Sequence, residues 1–315
     1  MGQCLRVINV NAPGSLVLMG EHGVLHGHAA LVFALNKGIS IFLKLRKDRI
    51  IYINSSLGSY TGCLDLPIYH PSFSFVIAAI NHLKPHCGFD LEINSQIDHQ
   101  SGLGSSSAIT VAMTAALLFI KYSKKPLEKD ILRTAHEIVL KVQGISSGID
   151  LAASIYGGLI LYSMPNYRIK NIPTILPIHI VYSGYKMPTS QVLDKILHVE
   201  NEYPSIKVIH QEIYSIMGQL SNMSAQAICD GNLKVLAKNM NMQQGLLETL
   251  GVSDQKLSDI VWKLRKQSGI MAAKISGSGL GDCVIALGKA DPNDLQSYNS
   301  IDCTMHIKGI QISFE

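Results

Sequence analysis

The chain has 315 residues, of which 47% are hydrophobic and 16% charged, a balance that excludes intrinsic disorder and supplies a sizeable core. Its length accommodates one large or two modest domains. A net charge of +4, with no basic run interleaved with aromatics, excludes the electrostatic footprint of a nucleic-acid binder.

The opening MGQCLRVINV lacks the basic-then-apolar layout of a signal peptide, and Arg6 stands where a myristoylation motif headed by Gly2 needs Ser or Thr. Residues 5–11 are predicted as a strand. The run ALVFALN leads into GISIFLKLR, where Ile39, Ile41, Leu43 and Leu45 share one strand face. RIIYI predicts another strand, and HPSFSFVIAAINHL a helix with Pro71 in its first turn. FDLEINSQI alternates Phe89, Leu91 and Ile93 with Asp90, Glu92 and Asn94, the pattern of a half-buried strand. SGLGSSSAITVAMTAALLFIKY predicts a glycine turn and a small-residue helix, whose apolar run from Ala108 to Ile120 is short for a membrane span.

LEKDILRTAHEIVLKVQG predicts a further helix, and SGIDLAASIYGGLILY a short helix and a strand. SMPNYRIKNIPTILP, after Tyr162, reads as a loop-rich connection and places a domain boundary, giving residues 1–170 and 171–315. Beyond it come a strand (IHIVYSG), helical stretches between Ser190 and Ser268, a strand–turn–strand (MAAKISGSGLGDCVIALG) and a closing strand (MHIKGIQISFE). Helices and strands mix without regular alternation, which favours two α+β domains over a doubly wound sheet. The six cysteines form no C-x-x-C pair, so neither a zinc site nor a disulfide framework is expected, and a reducing cytoplasm fits.

Three turns carry the chemistry. GLGSSS, Gly102 to Ser107, lies between a strand and a helix; glycines admit close approach of a ligand, and the helix N-terminus favours phosphate. The hydroxyls of Ser105, Ser106 and Ser107 add hydrogen bonds or reach a metal ion, whereas the plain alternative is a tight turn with a serine N-cap. The pattern is neither a Walker loop nor a Rossmann fingerprint. SGSGLGD, Ser276 to Asp282, has more glycines than a simple hairpin needs, and either packs against another group or forms a long irregular hairpin. In SSGID, Ser146 to Asp150, the aspartate either caps the next helix or serves as base or orienting carboxylate for a hydroxyl nucleophile.

Together, APGSLVLMGEHGVLHG, GLGSSSA, SGIDLAAS…YGG and KISGSGLGDC occur in the order and at roughly the separations of the GHMP small-molecule kinases, and the chain resembles that family over almost its whole length. GEHGVLHG and SGID…YGG look most like its mevalonate-phosphorylating branch. The resemblance implies an α+β two-domain fold, a ribosomal S5 domain 2-like N-terminal domain and a ferredoxin-like C-terminal domain, with the active site in the cleft between them. It implies ATP and Mg²⁺ as cofactors, a small-molecule alcohol as partner, no nucleic acid or membrane, and compatibility with a homodimer. By the same resemblance Gly102, Leu103, Gly104, Ser105, Ser106 and Ser107 wrap the ATP phosphates, with Ser106 also on the metal. Gly277, Ser278 and Gly279 shape the site from the second domain. Asp150 faces the reacting hydroxyl, with Glu21, His22 and Ser147 near the substrate. Another acceptor (phosphomevalonate or a sugar), or a non-catalytic nucleotide-binding role, are the competing expectations.

Four positions depart from the family pattern. Ser15 replaces the lysine usual in that branch, and Lys186, or less directly Lys37, is expected to restore the charge. Glu137 is the expected Mg²⁺ carboxylate, although it precedes Asp150 by a wider gap than usual. Asp98 stands close to the phosphate turn, where it is unfavourable unless it points away or pairs with His99 or a cation. Asp282 replaces a glycine and is expected to close its turn.

Overall fold

The structure is a computed structural model that describes residues 7–66, 68–289 and 299–314. Gly2, Cys4, Arg6 and the first two residues of the predicted opening strand lie outside the described residues.

The first layer is a sheet in the order β12-β1-β2-β5-β3-β4. Its strands are β1 (Val7–Met19), β2 (Ala30–Leu45), β3 (Ile50–Ser55), β4 (Gly58–Cys63), β5 (Phe89–Ser95) and β12 (Gln311–Phe314). The two apolar runs after Ala30 form one strand of 16 residues, long enough to serve two partners. Its second half pairs β5, and its first half pairs β6 (Leu159–Ser163), which in turn pairs β7 (Arg168–Ile172). The segment expected to be loop-rich therefore contains a strand, because Ile169 and Ile172 have a sheet neighbour that local composition does not reveal. The 170/171 boundary falls inside β7, and the chain returns to the first sheet when β12 pairs β1.

Helices α1 (Ser74–Leu83), α2 (Ser105–Tyr122), α3 (Glu128–Gln143) and α4 (Ile149–Tyr156) accompany this sheet, with α2 and α4 lying on β1 and β2. α2 is longer than its apolar run suggested. By length and composition it could cross a membrane, but 67% of it is buried inside the protein, the position of a core helix.

The second sheet runs β11 (Asn299–Ile301), β8 (Ile178–Tyr182), β10 (Cys283–Gly288), β9 (Ile270–Ser276), all antiparallel. With it go α5 (Thr189–Glu202), α6 (Pro204–Cys229), α7 (Leu233–Thr249) and α8 (Gln255–Arg265). The strand period of two sorts its residues between two cores. Ile180, Cys283, Ile285 and Leu287 join the core of the first layer, while Val181, Val284 and Ala286 pack with Ile260 and Leu264 of α8. Burial on both faces explains why CVIAL reads as a continuous apolar run. It also brings the last glycine turn, at one end of β9 and β10, against the end of β1.

Candidate active site

A cleft of about 1410 Å³ opens between the layers. Ser15 is its hub. A register shift in the β1–β2 ladder falls at this residue, the kind of bulge that re-aims a side chain. Ser15 is 1% exposed, and its hydroxyl donates to Asp150 Oδ1 at 2.8 Å. Its N–H donates to the Leu103 carbonyl at 3.1 Å, tying β1 to the glycine bend. Gly104, the residue before α2, adopts φ 72° and lies so close to Ser15 that any Cβ there would collide with Ser15 Oγ. No side chain caps α2, so the serine N-cap alternative is not what this turn builds. Gly102, Gly104, Ser105, Ser106 and Ser107 line the cleft. Leu103 does not: its side chain is buried in the core and only its carbonyl is used.

Asp150 lies in the first turn of α4, but the N-cap position is Gly148 and no side chain caps this helix either. The carboxylate instead faces the cleft and accepts from Ser15. Burial raises its pKa above the usual carboxylate range, while the Ser15 hydroxyl and the Lys186 charge oppose the rise. The loop that carries it is held from behind. His136 Nε2 donates to the Ser146 carbonyl at 3.0 Å, and the Tyr162 hydroxyl donates to the Ser147 carbonyl at 2.6 Å. Ser147 lines the cleft, and its Oγ accepts from Ile149 N–H at 3.4 Å. His136 and Tyr162 were not anticipated; each is a buried polar group in an apolar pattern, which is the only sequence signal they give.

Glu21 and His22 reach the cleft from the end of β1. Both are buried and both are bonded to the second layer. Glu21 accepts from the Lys274 ammonium through one oxygen and from Gln243 Nε2 at 2.8 Å through the other. Lys274 is fully buried; burial lowers its pKa, and Glu21 opposes that shift. A lone charge in MAAKIS needs a partner when that strand is buried, and Lys274 finds it in Glu21. Burial lowers the His22 pKa to about 4, so the neutral ring donates Nε2–H to the Ser278 carbonyl at 2.9 Å. His22 and His26 stand four residues apart, yet they have different partners: His26 stacks on Tyr214 at 3.9 Å.

Gly277 and Ser278 line the cleft from the last turn. Gly279 is not among the lining residues, and a Cβ there would collide with the Val252 carbonyl. Lys186 lines the cleft, and its ammonium stands 3.6 Å from Asp282 Oδ1. Lys37 is not among the lining residues and acts electrostatically on Cys303. Asp98 is exposed at the cleft rim, accepts from Gln100 N–H at 2.8 Å and lies 3.3 Å from His99, the pairing that its position calls for.

Glu137 corrects an expectation. It is exposed on the outer face of α3, 3.3 Å from His82 of α1, and does not line the cleft. The helical period decides this: the α3 residues that reach the cleft are Val139, Val142 and Gln143, none of them a carboxylate. Among the described residues no group of three His, Cys, Asp or Glu side chains could hold a metal ion. The oxygen donors that line the cleft beside the bend include the Ser106 hydroxyl and the Asp150 and Asp282 carboxylates. That sparse set fits Mg²⁺, which keeps waters and takes its remaining oxygens from substrate phosphates.

Known proteins resemble this chain over most of its length. Residues 74–158 match the GHMP kinases N terminal domain and residues 224–302 the GHMP kinases C terminal domain. The mevalonate kinase of Saccharolobus solfataricus is 28% identical over 318 residues, covering 98% of this chain and 99% of that protein. That of Pyrococcus furiosus is 32% identical over 303 residues, covering 88% of each. Among solved structures, the Methanococcus jannaschii mevalonate kinase superposes with a TM-score of 0.77 at 24% identity, over 97% of this chain and 99% of that one. The Lin0012 protein of Listeria innocua gives 0.85 at 21% identity, over 98% and 99%. The two-domain architecture and the sequence similarity along nearly the whole chain place this protein in the GHMP kinase family.

Proposed function

We propose that this GHMP kinase transfers the γ-phosphoryl group of ATP to the primary hydroxyl of mevalonate. The observation that carries the reading is the junction at Ser15. One residue holds the Asp150 carboxylate by its hydroxyl and the glycine bend by its N–H. The acid that would aim an alcohol and the bend that would seat the triphosphate are thereby fixed to each other. In phosphoryl transfer the protein supplies little covalent chemistry and mainly positions and neutralises.

The amides at the start of α2 suit the phosphate oxygens, and the apolar wall of Phe75, Val139 and Val142 suits a planar base. Asp150 orients the hydroxyl and accepts its proton. Lys186 supplies the positive charge that Ser15 lacks. Mg²⁺, when bound, neutralises charge on the triphosphate, and Ser106 and Asp150 would hold it.

The relatives named mevalonate kinase support this acceptor. A phosphorylated acceptor calls for additional cationic side chains. Among the described residues lining the cleft Lys186 is the one lysine, and no arginine is present. The cysteines Cys63, Cys87, Cys229, Cys283 and Cys303 are unpaired, which supports a reducing, cytoplasmic setting. The test is ADP release from ATP and Mg²⁺ with mevalonate, phosphomevalonate or galactose in turn. Turnover is expected with mevalonate. Turnover confined to another acceptor reassigns the substrate, and nucleotide binding without turnover on any of them supports the non-catalytic alternative.

A further inference from the structure

Asp282 stands outside the roles described so far. It ends the last glycine turn at φ 62°. Its backbone is joined to the segment that carries Lys186. Its N–H donates to the Tyr185 carbonyl at 2.9 Å, and its carbonyl accepts from Ser183 N–H at 2.9 Å.

The side chain is 9% exposed and wedged between the two glycine turns. A Cβ on Gly102 would lie 2.7 Å from its Oδ1, and one on Gly277 would lie 3.3 Å from its Oδ2. Oδ1 has no hydrogen-bond partner among the described residues. Lys186 Nζ, 3.6 Å away, is at ion-pair range but beyond a hydrogen bond. A carboxylate buried beside a phosphate-seating bend is unfavourable twice over, by desolvation and by repulsion of the incoming anion. It is tolerable when a cation accompanies it. Lys186 lines the same cleft as Asp150 and acts electrostatically on both Asp282 and Asp150.

We propose that Asp282 is a positioning residue that holds the Lys186 ammonium beside the glycine bend, within reach of the group being transferred. The inference rests on the phosphoryl-transfer reading above. A lysine has a long, rotamer-rich stem, and left alone its head would range through solvent. A fixed carboxylate on the cleft wall narrows that range. Because the pair is too long for a hydrogen bond, the ammonium N–H donors stay available for phosphate oxygens.

The test is a double-mutant cycle in steady-state kinetics with ATP and mevalonate, on wild type, Lys186→Met, Asp282→Asn and the double variant. Asparagine keeps the volume and tolerates a positive φ. Lys186→Met is expected to lower kcat on the order of 10²-fold, as loss of one charge-stabilising donor does. Asp282→Asn is expected to lower kcat roughly tenfold, with little change in acceptor KM. The double variant should be no slower than Lys186→Met, because the two residues act as one unit. An Asp282→Asn enzyme with wild-type kcat overturns the proposal, and so do losses that multiply in the double variant. A merely structural role would lower the melting temperature and slow the Lys186→Met background as well. Should Asp282→Asn melt below the assay temperature, Asp282→Gly, which suits the positive φ, carries the same readout. Wild type inactive on every acceptor defeats the kinase reading; active wild type with an unaffected Asp282→Asn defeats this inference alone.

Discussion

Two carboxylates border the same cleft and live differently. Glu21 is saturated: a buried ammonium binds one oxygen and a glutamine amide the other, both from the opposite layer. Asp150 is under-satisfied: among the described residues one serine hydroxyl holds one of its oxygens, and burial raises its pKa. The contrast teaches that burial alone does not mark a reactive group. A carboxylate with both oxygens bonded across the layers holds them together, and one with an oxygen left open toward a cavity is available to a substrate.

Neutralising each acid in turn separates their roles most strongly. Asp150→Asn should cut turnover by roughly 10²–10⁴-fold, the range for loss of a general base, while nucleotide binding and the melting temperature hold. Near-normal turnover in that variant would remove the distinction between the two acids. Removing the partner of the other acid should instead act on the fold. Lys274→Met leaves Glu21 buried without its cation and should cost about 3–5 kcal/mol in denaturant unfolding. If Lys274→Met unfolds like wild type, the ion pair is not what joins the layers there.

Titration sharpens the comparison further. His22 joins the same clasp, and its folded pKa of about 4 lies below its ordinary 6.5. The folded state therefore binds fewer protons than the unfolded chain between those values. Stability from this group is present above pH 6.5 and is lost as pH falls through 6.5 towards 4. The loss is about 3 kcal/mol at most. His22→Gln should flatten that part of the stability–pH curve, and an unchanged curve would assign the acid sensitivity elsewhere. The smallest effect is expected at Glu137. Glu137→Gln should leave the Mg²⁺ dependence of turnover unaltered and change stability by less than about 0.5 kcal/mol. A raised Mg²⁺ requirement would restore it as a metal-linked residue.

Most elements and the two glycine turns were open to sequence reading because they are local. A helix period, a strand alternation and a glycine cluster each show within a few residues. β7 was missed because its stabilising partner, β6, lies across a turn that a local reading took for loop. Glu137 was misplaced for a similar reason. Thirteen residues separate it from Asp150, but helix phase, not proximity in sequence, selects the face, and that face belongs to Val139 and Val142. Lys274 and Asp282 could not be paired with Glu21 and Lys186, since separations of 253 and 96 residues are bridged only when the two layers meet.

Legible in the sequence were the kinase family, the mixed architecture, the bend at Gly102 to Ser107 and the place of Asp150 at the start of a helix, because each is written in short motifs whose chemistry is local. Which charges meet was settled by the packing of the two layers. Ser15 fell to Asp150, Glu21 to Lys274 and Lys186 to Asp282 because buried charges and polar groups must find partners in three dimensions, and the partner is set by how two sheets pack and not by where a residue stands in the chain.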